Sequence, residues 1–162
     1  MKKYFSTTLI CAMFSLMSCN KDRNQIIFFD FSNQSDLEEW NVFGDGNTLI
    51  DNGIITFSNI SSCYHLDLKE LIHVKRNRSY KIKIRSKHNP PQIGDPVYCV
   101  GSMMIWVKQD GEDLMMEGAN SGDDYIDQQF TFKTNSSSPI QFKIMIGTPN
   151  GAWIDNISIE KI

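Results

Sequence analysis

The sequence has few of the residues that build the most recognisable catalytic and metal sites. It contains three histidines and four cysteines in 162 residues, and no pair of them has the spacing of a zinc site. It has no G-x-S-x-G nucleophile elbow and no glycine-rich phosphate loop, the signatures of many hydrolases and nucleotide-binding proteins. Its 16 basic residues do not outnumber its 19 acidic residues, so no nucleic-acid partner is expected. These absences favour a protein that is not an enzyme.

The sequence also has no apolar run long enough to span a bilayer, which takes about 20 residues. Its N-terminal apolar stretch, Tyr4–Met17, follows Lys2 and Lys3 and has the length of a secretory signal peptide. The stretch ends in Leu16-Met17-Ser18-Cys19, which resembles the lipobox of bacterial lipoproteins, with Met17 a mild departure. The alternative is an ordinary secretory signal with an incidental cysteine.

The lipobox resemblance implies a lipid-anchored protein of three parts. Residues 1–18 are a signal peptide, residues 19–25 are the lipidated Cys19 with a short polar tether, and residues 26–162 are one folded domain. Asn20 stands where an aspartate favours retention in the inner membrane of many Gram-negative species. We therefore expect a protein of the Gram-negative outer membrane, facing either the periplasm or the cell surface.

The domain has no sustained helical period, and alternation of apolar and polar residues predicts strands instead. Tyr80–Arg85, Gln129–Lys133 and Ile140–Ile146 each alternate strictly, and turn residues separate them from further strands. The further predicted strands are Ile26–Phe31, Thr48–Ile50, Ile54–Phe57, Tyr64–Leu68, Tyr98–Lys108 and Trp153–Glu160. Asp36–Trp40 predicts one helical turn, capped by Ser35 or Asp36. About nine strands indicate an all-β, two-sheet antiparallel β-sandwich.

The order of several short motifs resembles a group of carbohydrate-binding modules. The matching segments are Phe29–Ser32 with Trp40 after it, Asp51–Ile54, Ser79–Ile82, Phe130–Phe132 and the closing Trp153–Ile159. Together they resemble the jelly-roll modules of families four, nine and twenty-two, within the galactose-binding-like sandwiches. Asn77 departs from the pattern, because it replaces a usual glycine before the third motif. The resemblance implies a jelly-roll fold and glycan binding without catalysis.

The resemblance also implies a structural calcium ion. Family members often hold one with the aspartate of the closing strand, here Asp155, and an acid of the opening strand. In this chain Ser32 stands at the position of that acid, and Asp30 lies two residues before it. Asp155 shares the parity of Ile157, so a single alternation would turn its carboxylate toward the core, where it needs a cation or hydrogen bonds. The alternative is that Asp155 accepts backbone amides from the preceding turn.

Sugar recognition requires exposed aromatic rings beside polar side chains. In the strand Tyr98–Lys108 both parities are apolar, so Tyr98 and Trp106 are predicted on an outer face if Cys99 faces the core. The alternative is a central strand with Trp106 in the core, which the high average burial of tryptophan favours. Tyr125, in an acidic segment, is a third candidate for sugar contact, whereas Trp40, Phe43 and Tyr64 are predicted to pack.

Two further features leave alternatives open. Cys63 and Cys99 would form a disulfide in an oxidising compartment, or remain two separate buried thiols. One strand face carries Lys81, Lys83 and Arg85, and Lys143 could join it from another strand. This face would attract acidic glycans or lipid head groups. The alternative is an ordinary solvated face of the sheet.

Three functions therefore remain. The first is a lipid-anchored glycan-binding module, the second is an accessory lipoprotein that binds envelope proteins on the same scaffold, and the third is a minimal hydrolase. The resemblance favours the first.

Overall fold

A computed structural model describes residues 25–90, 92–96 and 102–162, and these residues form an all-β sandwich. The segment that contains the predicted signal peptide, Cys19 and most of the tether lies outside the described residues, as do Tyr98 and Cys99. The strands are β1 Gln25–Phe29, β2 Trp40–Phe43, β3 Asn47–Asp51, β4 Ile54–Ser58, β5 Tyr64–Leu68, β6 Ser79–His88, β7 Met103–Gln109, β8 Glu112–Gly118, β9 Gly122–Lys133, β10 Ile140–Ile146 and β11 Ala152–Lys161. Within the described ranges no helix is long and apolar enough to cross a membrane.

The strands form two antiparallel sheets. The first sheet has the order β3-β4-β11-β6-β9, and β1 also pairs with β11. The second sheet has the order β2-β5-β10-β7-β8. Strands that follow one another in the chain often lie in opposite sheets, so most strand pairings join distant parts of the chain. The predicted two-sheet antiparallel sandwich is confirmed.

The core lies between the two sheets and follows the alternation of the sequence. In β6 the inward residues Tyr80, Ile82 and Ile84 are fully buried. In β10 the inward residues are Ile140, Phe142, Ile144 and Ile146, each with an outward polar or methionine neighbour. Trp40 and Tyr64 are buried as predicted. β6 and β10 therefore each present one apolar face to the core and one face to solvent.

The structure adds two strands that the sequence pattern did not indicate. β2 has only four residues, and β8 carries several acids with Met115 as its one buried residue. Both are edge strands, where a partner on one side suffices and the apolar alternation is weak. The predicted helical turn is a 3-10 helix over Gln34–Glu39, but its N-cap is Asn33 and not Ser35 or Asp36.

A β-bulge in β11 changes which side chains face the core. The pairing with β6 shifts register between Ile154 and Asn156, which adds one residue to β11 at Asp155. Ile154 and Ile157 are both fully buried as a result, although they are three residues apart. The single alternation that would have turned Asp155 toward the core together with Ile157 is therefore wrong: Trp153 and Asp155 lie on the outer face.

Candidate functional site

Trp106 lies on the outer face of the second sheet. β7 alternates regularly, with Met103, Ile105 and Val107 fully buried and Trp106 only half-buried between them. The expectation that average tryptophan burial would place Trp106 in the core is wrong, because the alternation of its own strand turns the ring outward.

Polar neighbours hold the Trp106 ring in place. Its indole Nε1 donates a hydrogen bond of 2.8 Å to Asp113 Oδ1 on β8. The Lys108 ammonium lies 4.6 Å from the ring centroid and 3.6 Å from Asp113 Oδ1. The Lys143 ammonium lies 5.7 Å from the same ring. An indole fixed at its edge and surrounded by charged groups is ordered before any ligand arrives, which reduces the entropy lost on binding.

A row of side chains crosses the second sheet through Trp106. The strand register aligns Asn41, Asp67, Lys143, Trp106 and Met116. Asp67 Oδ2 accepts a hydrogen bond of 2.6 Å from Lys143 Nζ, although Asp67 is only 8% exposed. Its other oxygen, Oδ1, is buried, has no hydrogen bond to any described residue and lies 3.8 Å from His65 Nε2. The row thus places a buried ion pair and an unused acceptor beside a half-buried indole on the outer face of the sheet.

A second aromatic element lies diagonally across the same face. Phe43 on β2 stacks on His65 of β5, with ring centroids 4.8 Å apart and an interplanar angle of 20°. Phe43 is 46% exposed, so the expectation that it packs in the core is wrong. From a strand spacing of about 4.8 Å and a rise of about 3.3 Å, the pair lies roughly 12–16 Å from Trp106. This separation exceeds one sugar ring and suits an oligosaccharide.

We call this surface the Trp106 face. Its members are Phe43, His65, Asp67, Trp106, Lys108 and Lys143. Sequence reasoning found Trp106 and missed the others, because β2 was not recognised and the neighbours of β5 and β10 in the sheet are not visible in sequence order. The alternation of Lys143 with buried Phe142 and Ile144 did signal that this lysine faces solvent.

Tyr125 does not join the Trp106 face. It lies on β9 of the first sheet, with its ring 5.7 Å from Arg85 Cζ and 5.1 Å from Lys87 Nζ. Partial burial, and secondarily the negative charge of Asp155, raises the pKa of the Tyr125 hydroxyl, and Arg85 partly offsets this. The predicted sugar contacts Trp106 and Tyr125 are therefore on opposite sides of the sandwich, and Tyr98 lies outside the described residues.

The predicted cationic row is partly neutralised. Lys83 pairs with Glu160 at 2.7 Å, and Arg85 Nε lies 3.1 Å from Asp155 Oδ2. Lys143 does not extend this row, because β10 belongs to the other sheet. That expectation was wrong because two strands with exposed lysines need not belong to the same sheet.

The residues predicted to hold calcium are engaged in other contacts. Asp155 pairs with Arg85, and Asp30 Oδ1 accepts a 3.0 Å hydrogen bond from the Ser32 backbone amide. Hydrogen bonds from Ser32 lower the pKa of the Asp30 carboxyl. Across the described residues, no group of three or more His, Cys, Asp or Glu side chains could hold a metal ion. As arranged, these residues do not fit a calcium ion, which takes six to eight oxygens, and calcium binding stays a prediction.

Cys63, the residue immediately before β5, is disulfide-bonded. Its predicted partner Cys99 lies outside the described residues, so the specific pairing stays a prediction.

Comparison of the sequence with protein-family models and with curated proteins finds no match. Solved structures do match. A family 4 carbohydrate-binding module aligns with a TM-score of 0.58 and 11% identity, over 80% of this chain and 100% of the module. A family 6 module of Cellvibrio mixtus lichenase 5A, in complex with cellotriose, aligns with a TM-score of 0.55 and 16% identity, over 85% and 98%. The family 22 xylan-binding domain of Paenibacillus barcinonensis Xyn10C aligns with a TM-score of 0.55 and 10% identity, over 86% and 95%.

At these identities the likeness is one of fold. These neighbours are non-catalytic modules with a β-sandwich fold, and this chain spans nearly the whole of each. The resemblance to carbohydrate-binding modules, families four and twenty-two among them, is thus found again in the three-dimensional structure.

Proposed function

We propose that this protein is a lipid-anchored, non-catalytic carbohydrate-binding protein of the bacterial envelope, and that it holds a glycan on the Trp106 face. The observation that carries the proposal is the position of Trp106, half-buried on the outer face of a sheet and held by its hydrogen bond to Asp113. The fold that this chain shares with carbohydrate-binding modules supports the proposal independently.

The chemistry of the Trp106 face suits a sugar. The apolar face of a pyranose ring stacks on an indole, and its hydroxyls bond to the charged and polar groups around it. Lys108 and Lys143 are each matched by a carboxylate, so the face carries little net charge. A neutral oligosaccharide that runs diagonally from Trp106 toward Phe43 and His65 is the ligand class that fits.

The lipid anchor is the part of the proposal that rests on sequence alone. Leu16–Cys19 supports acylation of Cys19, and Asn20 supports delivery to the outer membrane. Growth with a palmitate analogue tests the anchor: we expect labelling of the protein and none of a Cys19→Ala variant. A wild-type product that is soluble and unlabelled would contradict it.

A different observation favours the accessory, protein-binding alternative. The exposed apolar side chains Ile26, Phe28 and Leu71 border a groove of about 390 Å³ along β1, which pairs with β11 and with no other strand in the described ranges. A protein that folds but binds no glycan would make this groove the next candidate, and pull-downs from the envelope the next experiment.

A glycan panel tests the proposed function. The soluble chain without residues 1–19 is applied to neutral oligosaccharides and polysaccharides, and we expect binding that Trp106→Ala weakens at least tenfold. Because Trp106 is on the surface, its loss should cost clearly less stability than the roughly 3–5 kcal/mol of a buried tryptophan. Leu49→Ala, an exposed apolar change on the first sheet, is the matched control and should bind normally. Equal binding by wild type and Trp106→Ala would remove the Trp106 face from the proposal.

A further inference from the structure

The outer face of the first sheet carries a second aromatic and cationic surface. Its members are Arg85, Lys87, Tyr125 and Trp153, which we call the Lys87 cluster. We propose that the Lys87 cluster is a second glycan site, separate from the Trp106 face, and that it binds sugars carrying a negative charge, such as uronates.

The cluster is built across three neighbouring strands. Lys87 on β6 is directly opposite Trp153 on β11, and β9 brings Tyr125 to the other side of β6. The Lys87 ammonium lies 4.8 Å from the Trp153 ring and 5.1 Å from the Tyr125 ring. The attraction between a cation and aromatic rings therefore holds this ammonium between two rings at the surface.

The bulge in β11 brings Trp153 to this surface. The added residue lets Ala152 and Ile154 face the core before the bulge, and Ile157 and Ile159 after it. Trp153 is thereby directed outward beside Lys87 without any loss of buried apolar surface from β11. Bulges commonly re-aim side chains in this way near binding sites.

Most charges of this face are balanced, with Asp127 of β9 directly opposite Arg85 in the strand register, and Lys87 is the cation that can attract an anionic ligand. Arg85 is matched by Asp155, and Lys83 is matched by Glu160. In the part of the chain that the structure describes, Lys87 has no carboxylate at ion-pair distance, and its contacts are the two rings. An acidic sugar can supply the missing carboxylate, and its neighbouring rings can stack on Trp153 or Tyr125.

The two surfaces are independent, because they lie on opposite sheets of the sandwich. The Lys87 cluster therefore goes beyond the proposed function, and either surface can fail without the other. A protein with both sites holds two glycan chains of different charge, one on each sheet.

Binding to polygalacturonate, measured by titration calorimetry on the soluble chain at low and high salt, tests the second site. We expect binding that weakens with salt and falls at least tenfold in both Lys87→Gln and Trp153→Ala. Two matched controls should bind normally. Lys81→Gln makes the same charge change on the same strand, and Trp106→Ala removes a tryptophan from the opposite sheet.

Three results would overturn the inference. The first is no binding to polygalacturonate by folded protein. The second is an equal loss in Lys81→Gln and Lys87→Gln, which would indicate only diffuse attraction. The third is binding to phosphatidylglycerol vesicles that is at least as strong and equally sensitive to Lys87→Gln, which would assign the cluster to a membrane surface. Loss of neutral-glycan binding in Trp106→Ala bears on the proposed function alone.

Discussion

At the scale of single residues, His88 is the side chain whose chemistry conflicts most with its surroundings. It is fully buried at the end of β6, and neither ring nitrogen has a hydrogen-bond partner among the residues that the structure describes. Burial disfavours the charged imidazolium and lowers the pKa of His88 below its ordinary value of 6.5. The folded protein therefore keeps this residue neutral at a pH where the unfolded chain would protonate it.

Stability should consequently fall as the pH drops below about 6.5, before the carboxylates titrate. Below that pH, the unfolded chain binds a proton that the folded protein does not bind. Each further unit of pH decrease then lowers the free energy of unfolding by up to about 1.4 kcal/mol, until the pH reaches the pKa of His88 in the folded protein. Above pH 6.5, both states are neutral and no loss is expected. Urea unfolding at pH 7.5, 6.5 and 5.5 measures this, and His88→Gln should flatten the dependence.

The matched control for that series is His73→Gln. His73 is exposed, so this change should leave the pH dependence as in the wild type. An unchanged slope in His88→Gln would mean that another group causes the loss.

At the scale of elements, the environment of an ion pair decides what it contributes. Lys143 and Asp67 join β10 to β5 at 2.6 Å, with both side chains less than one fifth exposed. Lys83 and Glu160 join β6 to β11 at 2.7 Å, but the Lys83 side chain is 42% exposed. The two pairs have similar distances and connect strands in the same way, so they form a natural comparison.

Replacing each lysine by methionine, which keeps the apolar stem, should give different losses of stability. Lys143→Met leaves the buried Asp67 carboxylate uncompensated and should cost about 3 kcal/mol. Lys83→Met removes a solvated pair and should cost less than about 1 kcal/mol. Urea unfolding at pH 7.5 distinguishes them, and equal costs would show that Asp67 is better solvated than its burial indicates.

The turns between strands provide a second comparison at this scale. Gly44 and Gly94 have the same left-handed φ of 97°, which costs a side chain about 1–2 kcal/mol. A Cβ at Gly44 would lie 2.2 Å from the Cys63 carbonyl oxygen, whereas a Cβ at Gly94 would meet no atom of the described part of the chain within 4 Å. Gly44→Ala should therefore lower the melting temperature clearly more than Gly94→Ala. Similar shifts would mean that the turn after β2 relaxes freely.

At the scale of the whole molecule, a covalent link adds to the packing of the two sheets. Cys63 is disulfide-bonded, and its predicted partner is Cys99. In the chain-entropy model, a bridge closing that loop stabilises the fold by roughly 3–4 kcal/mol. We expect reductant to lower the melting temperature and Cys99→Ser to reproduce the effect. Peptide mapping without reductant identifies the pair, and a Cys63 peptide linked to another cysteine would contradict it.

Much of this architecture follows from alternation in the sequence. β6 and β10 are central strands with strict alternation, so one face of each had to be buried, and their predicted faces are confirmed. The edge strands β2 and β8 were missed because an edge strand needs little apolar surface. The outward position of Trp106 was also not decided by composition, since tryptophan is found in cores and on binding surfaces alike.

By itself, the sequence determined the all-β class, the two-sheet sandwich and most strand positions, because a period of two fixes which side of a strand must leave water. Only the tertiary structure decided which strands are neighbours, and this is what assembles a surface. It separated Lys143 from the cationic row, placed Trp106 beside Lys143 and Asp113, and grouped Trp153 with Lys87 and Tyr125 through one added residue in β11. Strand order depends on the packing of residues far apart in the chain, which no local pattern records.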